Sequence, residues 1–291
     1  MQPRARAPRT SPHRTRPLAA TAAAVVLAAL LTTDPAHAEP AASSMIDPAT
    51  PAGVQPFGET GTKALVWSDE FDGTAIDTSK WSIREQNRGS HSGITWWYRA
   101  ANVRTDGNGA LAIDIRKNST SEYSGGRIDS QGKHEFTHGS FEARIHTPYQ
   151  TDGHLAAFWL QSANQGHVDG SARDGAEIDV FEGAHQADNY PVTVHYDGYG
   201  ADHQSNTANV SAPGLHSTWY HTYKLEWTPT ALKFFYDGTQ VRTITDPNLI
   251  SQVQEFPILS HEILAFADGD VQNAPLDANS TVYVDYIRVW Q

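Results

Sequence analysis

The chain contains no cysteine, which excludes a disulfide framework and leaves a sizeable apolar core as the source of stability. After residue 31 no apolar run approaches the ~18 residues needed to cross a bilayer, and the earlier run over residues 18–31 is too short to do so. No membrane partner is expected. Cations are scarce: 21 Lys and Arg stand against 33 Asp and Glu, a net charge of −12. Residues 1–38 hold five of the arginines and one of the acids, so residues 39–291 carry 16 basic and 32 acidic groups, or −16. Such a balance argues against nucleic acid and favours a neutral ligand. Long helical periodicity is missing as well, with only residues 247–253 suggesting a helical turn.

What is present falls into three parts. Arg4, Arg6, Arg9, Arg14 and Arg16, then the apolar run and Ala36-His37-Ala38, read as a secretory signal over residues 1–38, predicting a secreted, extracellular protein. Without an Arg-Arg pair, the general secretory route is expected. Residues 39–63, rich in Pro, Ala, Ser and Thr, read as a flexible leader. Residues 64–291 fit one all-β domain.

Within that domain apolar residues recur with period two. Leu111, Ile113 and Ile115 alternate with Ala112, Asp114 and Arg116, and Phe141, Ala143 and Ile145 with Glu142, Arg144 and His146. Asp237-Gly238 between two such runs signals a hairpin. Many strands joined by turns predict a sandwich of two antiparallel sheets.

One segment carries chemistry. In Glu177-Ile178-Asp179-Val180-Phe181-Glu182 the first two acids share a strand face, whereas Glu182 breaks the parity. A one-residue bulge near Phe181 would restore it, and bulges are frequent beside active sites. Two glutamates so placed suit a retaining glycosidase, whose carboxyls stand ~5–5.5 Å apart. Solvated surface acids or a calcium site are the alternative readings of the same six residues.

The wider pattern resembles glycoside hydrolase family 16. The opening Leu65-Val66-Trp67-Ser68-Asp69-Glu70-Phe71-Asp72-Gly73, the middle Gly126-Arg127-Ile128-Asp129-Ser130, the Ala157-Phe158-Trp159-Leu160 run and the closing Val284-Asp285-Tyr286-Ile287-Arg288-Val289-Trp290 carry the likeness. The resemblance implies a β-jelly-roll with an open concave cleft and retaining endo-hydrolysis of a β-linked polysaccharide; a monomer is expected. It makes Glu177 the nucleophile, Glu182 the acid/base and Asp179 an auxiliary group, expected to hydrogen-bond Glu177. The longer ExDxxE spacing is that of laminarinases, agarases and carrageenases; lichenases are one residue shorter.

An endo-β-1,3-glucanase of laminarinase type is therefore expected. Leu155-Ala156 replaces the usual laminarinase Trp-Pro, which keeps an agarase, carrageenase or β-1,3-galactanase, and a transglycosylase, as alternatives. A non-catalytic β-glucan-binding lectin is the reading from another class. Trp97 and Trp159 are candidate sugar platforms, and His195 a cleft residue near the acid/base. Catalysis requires no cofactor, but the resemblance implies a structural calcium held by Asp285 and Glu70. His154, His167 and Asp169 match no usual zinc spacing.

Overall fold

The computed structural model describes residues 45–91, 93–147, 153–183, 187–217, 219–263 and 280–291. The expected signal, residues 1–38, and residues 39–44 of the expected leader lie outside them. Numbered in chain order, one sheet holds β1 (Leu65–Asp69), β5 (Val103–Thr105), β6 (Leu111–Asp114), β9 (Gly139–His146), β14 (His221–Thr228), β15 (Ala231–Tyr236), β16 (Thr239–Ile244) and β18 (Thr281–Trp290). The other holds β2 (Ser82–Ile83), β3 (Gln86–His91), β4 (Ile94–Tyr98), β7 (Arg116–Ser119), β8 (Glu122–Asp129), β10 (His154–Gln161), β11 (Glu177–Gly183), β12 (Asn189–Tyr196), β13 (Gln204–Ser211) and β17 (Phe256–Ile263).

Their spatial orders are β16-β15-β14-β9-β18-β6-β5 and β13-β12-β11-β10-β17-β8-β4-β3. The two-sheet jelly-roll expectation holds, with one departure: β4 pairs with β8 in parallel. Asp237 and Gly238 form the β15–β16 turn with φ of 46° and 74°, the left-handed pair that a tight hairpin requires. The helical turn shrinks to a 3-10 turn at Pro247–Leu249.

Alternation sets the layers. Phe158, Leu160, Ile178, Val180, Phe181, Val192 and Val194 from one sheet meet Phe141, Ala143, Ile145, Leu225 and Ile287 from the other, all buried in one cluster. At ~1.5–3 kcal/mol per fully buried large apolar side chain, this layer does the work left by the missing disulfides.

The leader differs from its expectation. Residues 45–63 lie along the outer face of the eight-stranded sheet, where Phe57 N donates to Glu142 Oε2 at 2.7 Å and Trp290 Nε1 donates to Val54 O at 3.0 Å. Lys224 Nζ, fully enclosed, reaches Phe57 O at 2.5 Å and Glu59 Oε1 at 3.1 Å. Sheet residues fix this low-complexity segment by offering buried polar partners, which composition does not reveal.

Candidate active site

Strand β11 supplies the acids, and its pairing with β10 shows how. Gln161 stands opposite Glu177, Trp159 opposite Asp179, Phe158 opposite Phe181 and Ala157 opposite Glu182. Val180 has no counterpart, so the extra residue is Val180, one position before the expected bulge site. Because residues 157, 159 and 161 share a face, the three acids opposite them share it too. Val180 and Phe181 both turn into the core.

That outer face of the ten-stranded sheet carries a cavity of about 830 Å³, lined from β3 across to β13. Its registered rows run perpendicular to the strands. One passes from Arg127 through Ser260 and Ala157 to Glu182. The next passes from Asp129 through Ile258, Trp159 and Asp179 to Thr193, and a third joins Gln161, Glu177 and His195.

Burial raises all three carboxyls, since a low-dielectric site disfavours charge. Glu177 is pushed up to about 7 by burial, opposed by a hydrogen bond from Tyr199 and the positive fields of Arg127 and Arg88. Glu182 is pushed up to about 8 by burial and then by the charges of Glu177 and Glu262. Asp179 is raised well above its ordinary value by burial, Glu182 and Glu177. The three titrate as one system. Among the described residues, Glu177 is the one of the three shown accepting hydrogen bonds from side-chain donors, which favour its ionised form.

Glu177 Oε2 accepts from Gln161 Nε2 at 3.2 Å and from the Tyr199 hydroxyl. Asp179 does not take the expected role as a Glu177 partner in these bonds. Its Oδ2 faces His195 Nε2 at 3.4 Å. His195 is held down to about 4 by burial and by His203, so at neutral pH this is a contact with neutral imidazole. His195 Nδ1 lies 2.9 Å from His203 Nε2. His195 thus lines the cavity, beside Asp179 and Glu177 rather than Glu182.

Trp159 lines the cavity floor, with Nε1 donating to Ser260 Oγ at 3.1 Å and Arg127 over its ring at 4.8 Å. Trp97 does not line it; its ring lies under the Arg99 guanidinium at 4.0 Å. Trp96, on the opposite strand face, packs with Ile94, Ile115, Tyr123 and Ile263. Residues not singled out from sequence complete the site. Arg88 and Tyr98 both bond Glu262, Arg88 at 3.1 Å, and Arg127 is held by Asp129 at 2.9 Å.

The sequence profile of the glycosyl hydrolases family 16 matches residues 90–288, well over half of the chain. The chain belongs to glycoside hydrolase family 16. It is a glycoside hydrolase accordingly. It is 29% identical over 248 residues to a "Beta-glucanase" of Rhodothermus marinus, covering 78% of this chain and 85% of that one. A "Glucan endo-1,3-beta-glucosidase A1" of Niallia circulans is 26% identical over 78% of this chain, which spans 38% of that longer protein. Among solved structures, the laminarinase of Flavobacterium sp. UMI-01 superposes with a TM-score of 0.62 at 25% identity, over 78% of this chain and all of that one.

The calcium implied for the family does not fit the residues here. Asp285 Oδ2 accepts from Arg144 Nη1 at 2.6 Å. Glu70 receives Arg288 through two bonds of 2.8 and 2.7 Å, and Thr50 Oγ1 at 2.7 Å. Both carboxylates are already matched by guanidinium, and they form no metal-sized group among the described residues. His167 and Asp169 do converge, with Asp174, within 4.8 Å; His154 instead packs against His261.

Proposed function

We propose that this family 16 protein is an endo-β-1,3-glucanase that cleaves with retention, using Glu177 as nucleophile and Glu182 as acid/base. The observation that carries the reading is the bulge at Val180, which sets both glutamates on one cavity face with Asp179 between them. In the first step Glu177 attacks the anomeric carbon while Glu182 protonates the departing glycosidic oxygen. In the second, Glu182 takes a proton from water, whose oxygen displaces Glu177. The hydrogen bonds that Gln161 and Tyr199 donate to Glu177, which favour its anion, support this division. The glucanase and laminarinase relatives support the glucan class, and the chain's negative charge suits an uncharged polymer. Export directed by residues 1–38 belongs to the same reading, and amino-terminal sequencing of protein from culture medium tests it.

Reducing-end release should be fastest on laminarin, slower on mixed-linkage glucan and absent on agarose, carrageenan and β-1,3-galactan. Proton NMR should show the β-anomer as the first product. Glu177→Gln and Glu182→Gln should each lower turnover at least about a hundredfold with the melting temperature retained. Release from galactans alone, or an α-anomer formed first, would remove this reading.

A further inference from the structure

We propose that Tyr199, from the loop between β12 and β13, is a positioning residue for the nucleophile: with Gln161 it holds Glu177 Oε2 and leaves Oε1 as the attacking atom. The inference rests on the assignment of Glu177 as nucleophile.

The geometry is specific. The Tyr199 hydroxyl donates to Glu177 Oε2, and Gln161 Nε2 donates both to that oxygen at 3.2 Å and to the Tyr199 hydroxyl at 2.9 Å. Two donors thus converge on one carboxylate oxygen. No protein donor is recorded on Oε1 among the described residues. Yet Tyr199 is 61% exposed, so its ring contributes little to the core, and its placement comes from the loop together with the Gln161 hydrogen bond and the neighbouring His203 ring.

That loop is built to direct it. Asp197 and Gly198 adopt φ of 60° and 71°, two successive left-handed residues that reverse the chain sharply; Asp tolerates the conformation better than most residues and Gly has no Cβ penalty. Asp197 Oδ1 accepts from Asp169 N at 3.1 Å and Gly170 N at 3.2 Å, while Gly198 N donates to Gln165 O at 2.8 Å. The loop entering β11 and the loop leaving β12 are therefore tied together, and Tyr199 is delivered over the first residue of β11.

The chemistry follows through both half-reactions. When Oε1 bonds the anomeric carbon, the glycosidic C–O bond breaks and its electron pair leaves on the oxygen protonated by Glu182. Oε2 then becomes the ester carbonyl oxygen, keeping both donors. When water attacks, the C–Oε1 bond breaks and its electron pair returns to the carboxylate, where the same donors stabilise the charge. In the free enzyme they favour ionised Glu177 over protonated.

The test compares Tyr199→Phe with wild type and with Glu177→Gln, on the full chain and laminarin. A charge-assisted bond lost at the reacting carboxylate should lower kcat by about tenfold or more, with KM changed by less than about threefold. The acid limb of kcat/KM should move to higher pH, because Glu177 loses a donor that stabilises its anion. A merely structural tyrosine would not move that limb. Wild-type kcat with an unmoved limb in Tyr199→Phe, beside an inert Glu177→Gln, overturns the tyrosine's role alone. Full turnover in Glu177→Gln overturns the nucleophile and the tyrosine together.

Discussion

The acids on the outer face of the eight-stranded sheet and the trio Glu177, Asp179 and Glu182 on the ten-stranded one are partnered differently, while Glu262 and Asp129 beside that trio keep arginine partners. On the eight-stranded sheet each acid meets a partner: Glu70 with Arg288, Asp285 with Arg144, Glu59 with Lys63 and Lys224, Glu142 with Tyr286 and the Phe57 amide. Residues 45–63 cover part of that face. On the ten-stranded sheet Glu177, Asp179 and Glu182 crowd together, and among the described residues no Lys or Arg pairs with any of them. Guanidinium and ammonium partners neutralise Glu70, Asp285 and Glu59, whereas burial raises Glu142; the trio, without such a cation, leaves charge costly, so a proton is retained where one can be delivered. Function here is a local suspension of the pairing practised on the other side of the same core.

The largest effect should come from moving Glu182 out of that trio. One residue inserted after Phe181 would turn that carboxylate toward the apolar layer, and turnover should fall about a hundredfold to ten-thousandfold, with clear destabilisation. Deleting Val180 should be far milder. The β10 register already pairs Asp179 and Phe181 with adjacent residues, Trp159 and Phe158, so the shortened strand keeps all three acids on one face. It loses the burial of one valine, roughly 1.5–3 kcal/mol, and should retain laminarin cleavage well above the insertion variant. Equal inactivity in two folded variants would show that side-chain parity does not govern the site.

That contrast also explains what could be read from the sequence. Period-two patterning yields the strands and the inner layer, and the broken parity of Glu182 points to a bulge because only an extra residue reconciles it. Parity along the Trp159-Leu160-Gln161 run and the Ser260-His261-Glu262 run also puts Gln161, Ser260 and Glu262 on the cavity side; pairing register, fixed by distant strands, was needed to place them opposite the acids. Tyr199 sits in a glycine-rich loop with no periodicity, so nothing local announces its target. Trp97 lies outside the cavity lining, with Arg99, two residues on, over its ring. The leader and the calcium residues mislead for one reason: composition and family position do not disclose partners brought by tertiary contact.

A second comparison weighs the paired face. Arg288 and Glu70 have side chains 9% and 12% exposed, so replacing Arg288 with Met strands an enclosed carboxylate and should cost about 3–5 kcal/mol in urea denaturation. The double variant Arg288→Met, Glu70→Gln should recover much of that loss, and kcat should not change. A single-variant cost below about 1 kcal/mol would mean that the pair behaves like an exposed one.

The smallest effect concerns pH, and its sign separates the two faces. Glu182 has a folded-state value of about 8 against an ordinary 4.5. Between those values the folded chain holds a proton that the unfolded chain has released, so its contribution to stability is present at low pH and is lost as pH rises toward 8. Glu59, lowered despite its burial by Lys63, Ser140 and Lys224, contributes in the opposite sense, losing stability as pH falls. Glu182→Gln should therefore flatten the decline in stability between pH 5 and 8, by less than about 1.4 kcal/mol per pH unit because the proton is shared with Glu177 and Asp179. Glu59→Gln should weaken the protein most at neutral pH and least near pH 4. Parallel stability curves for wild type and Glu182→Gln across that range would mean that the cleft acids ionise as freely as surface ones, which would undo the distinction between the two faces.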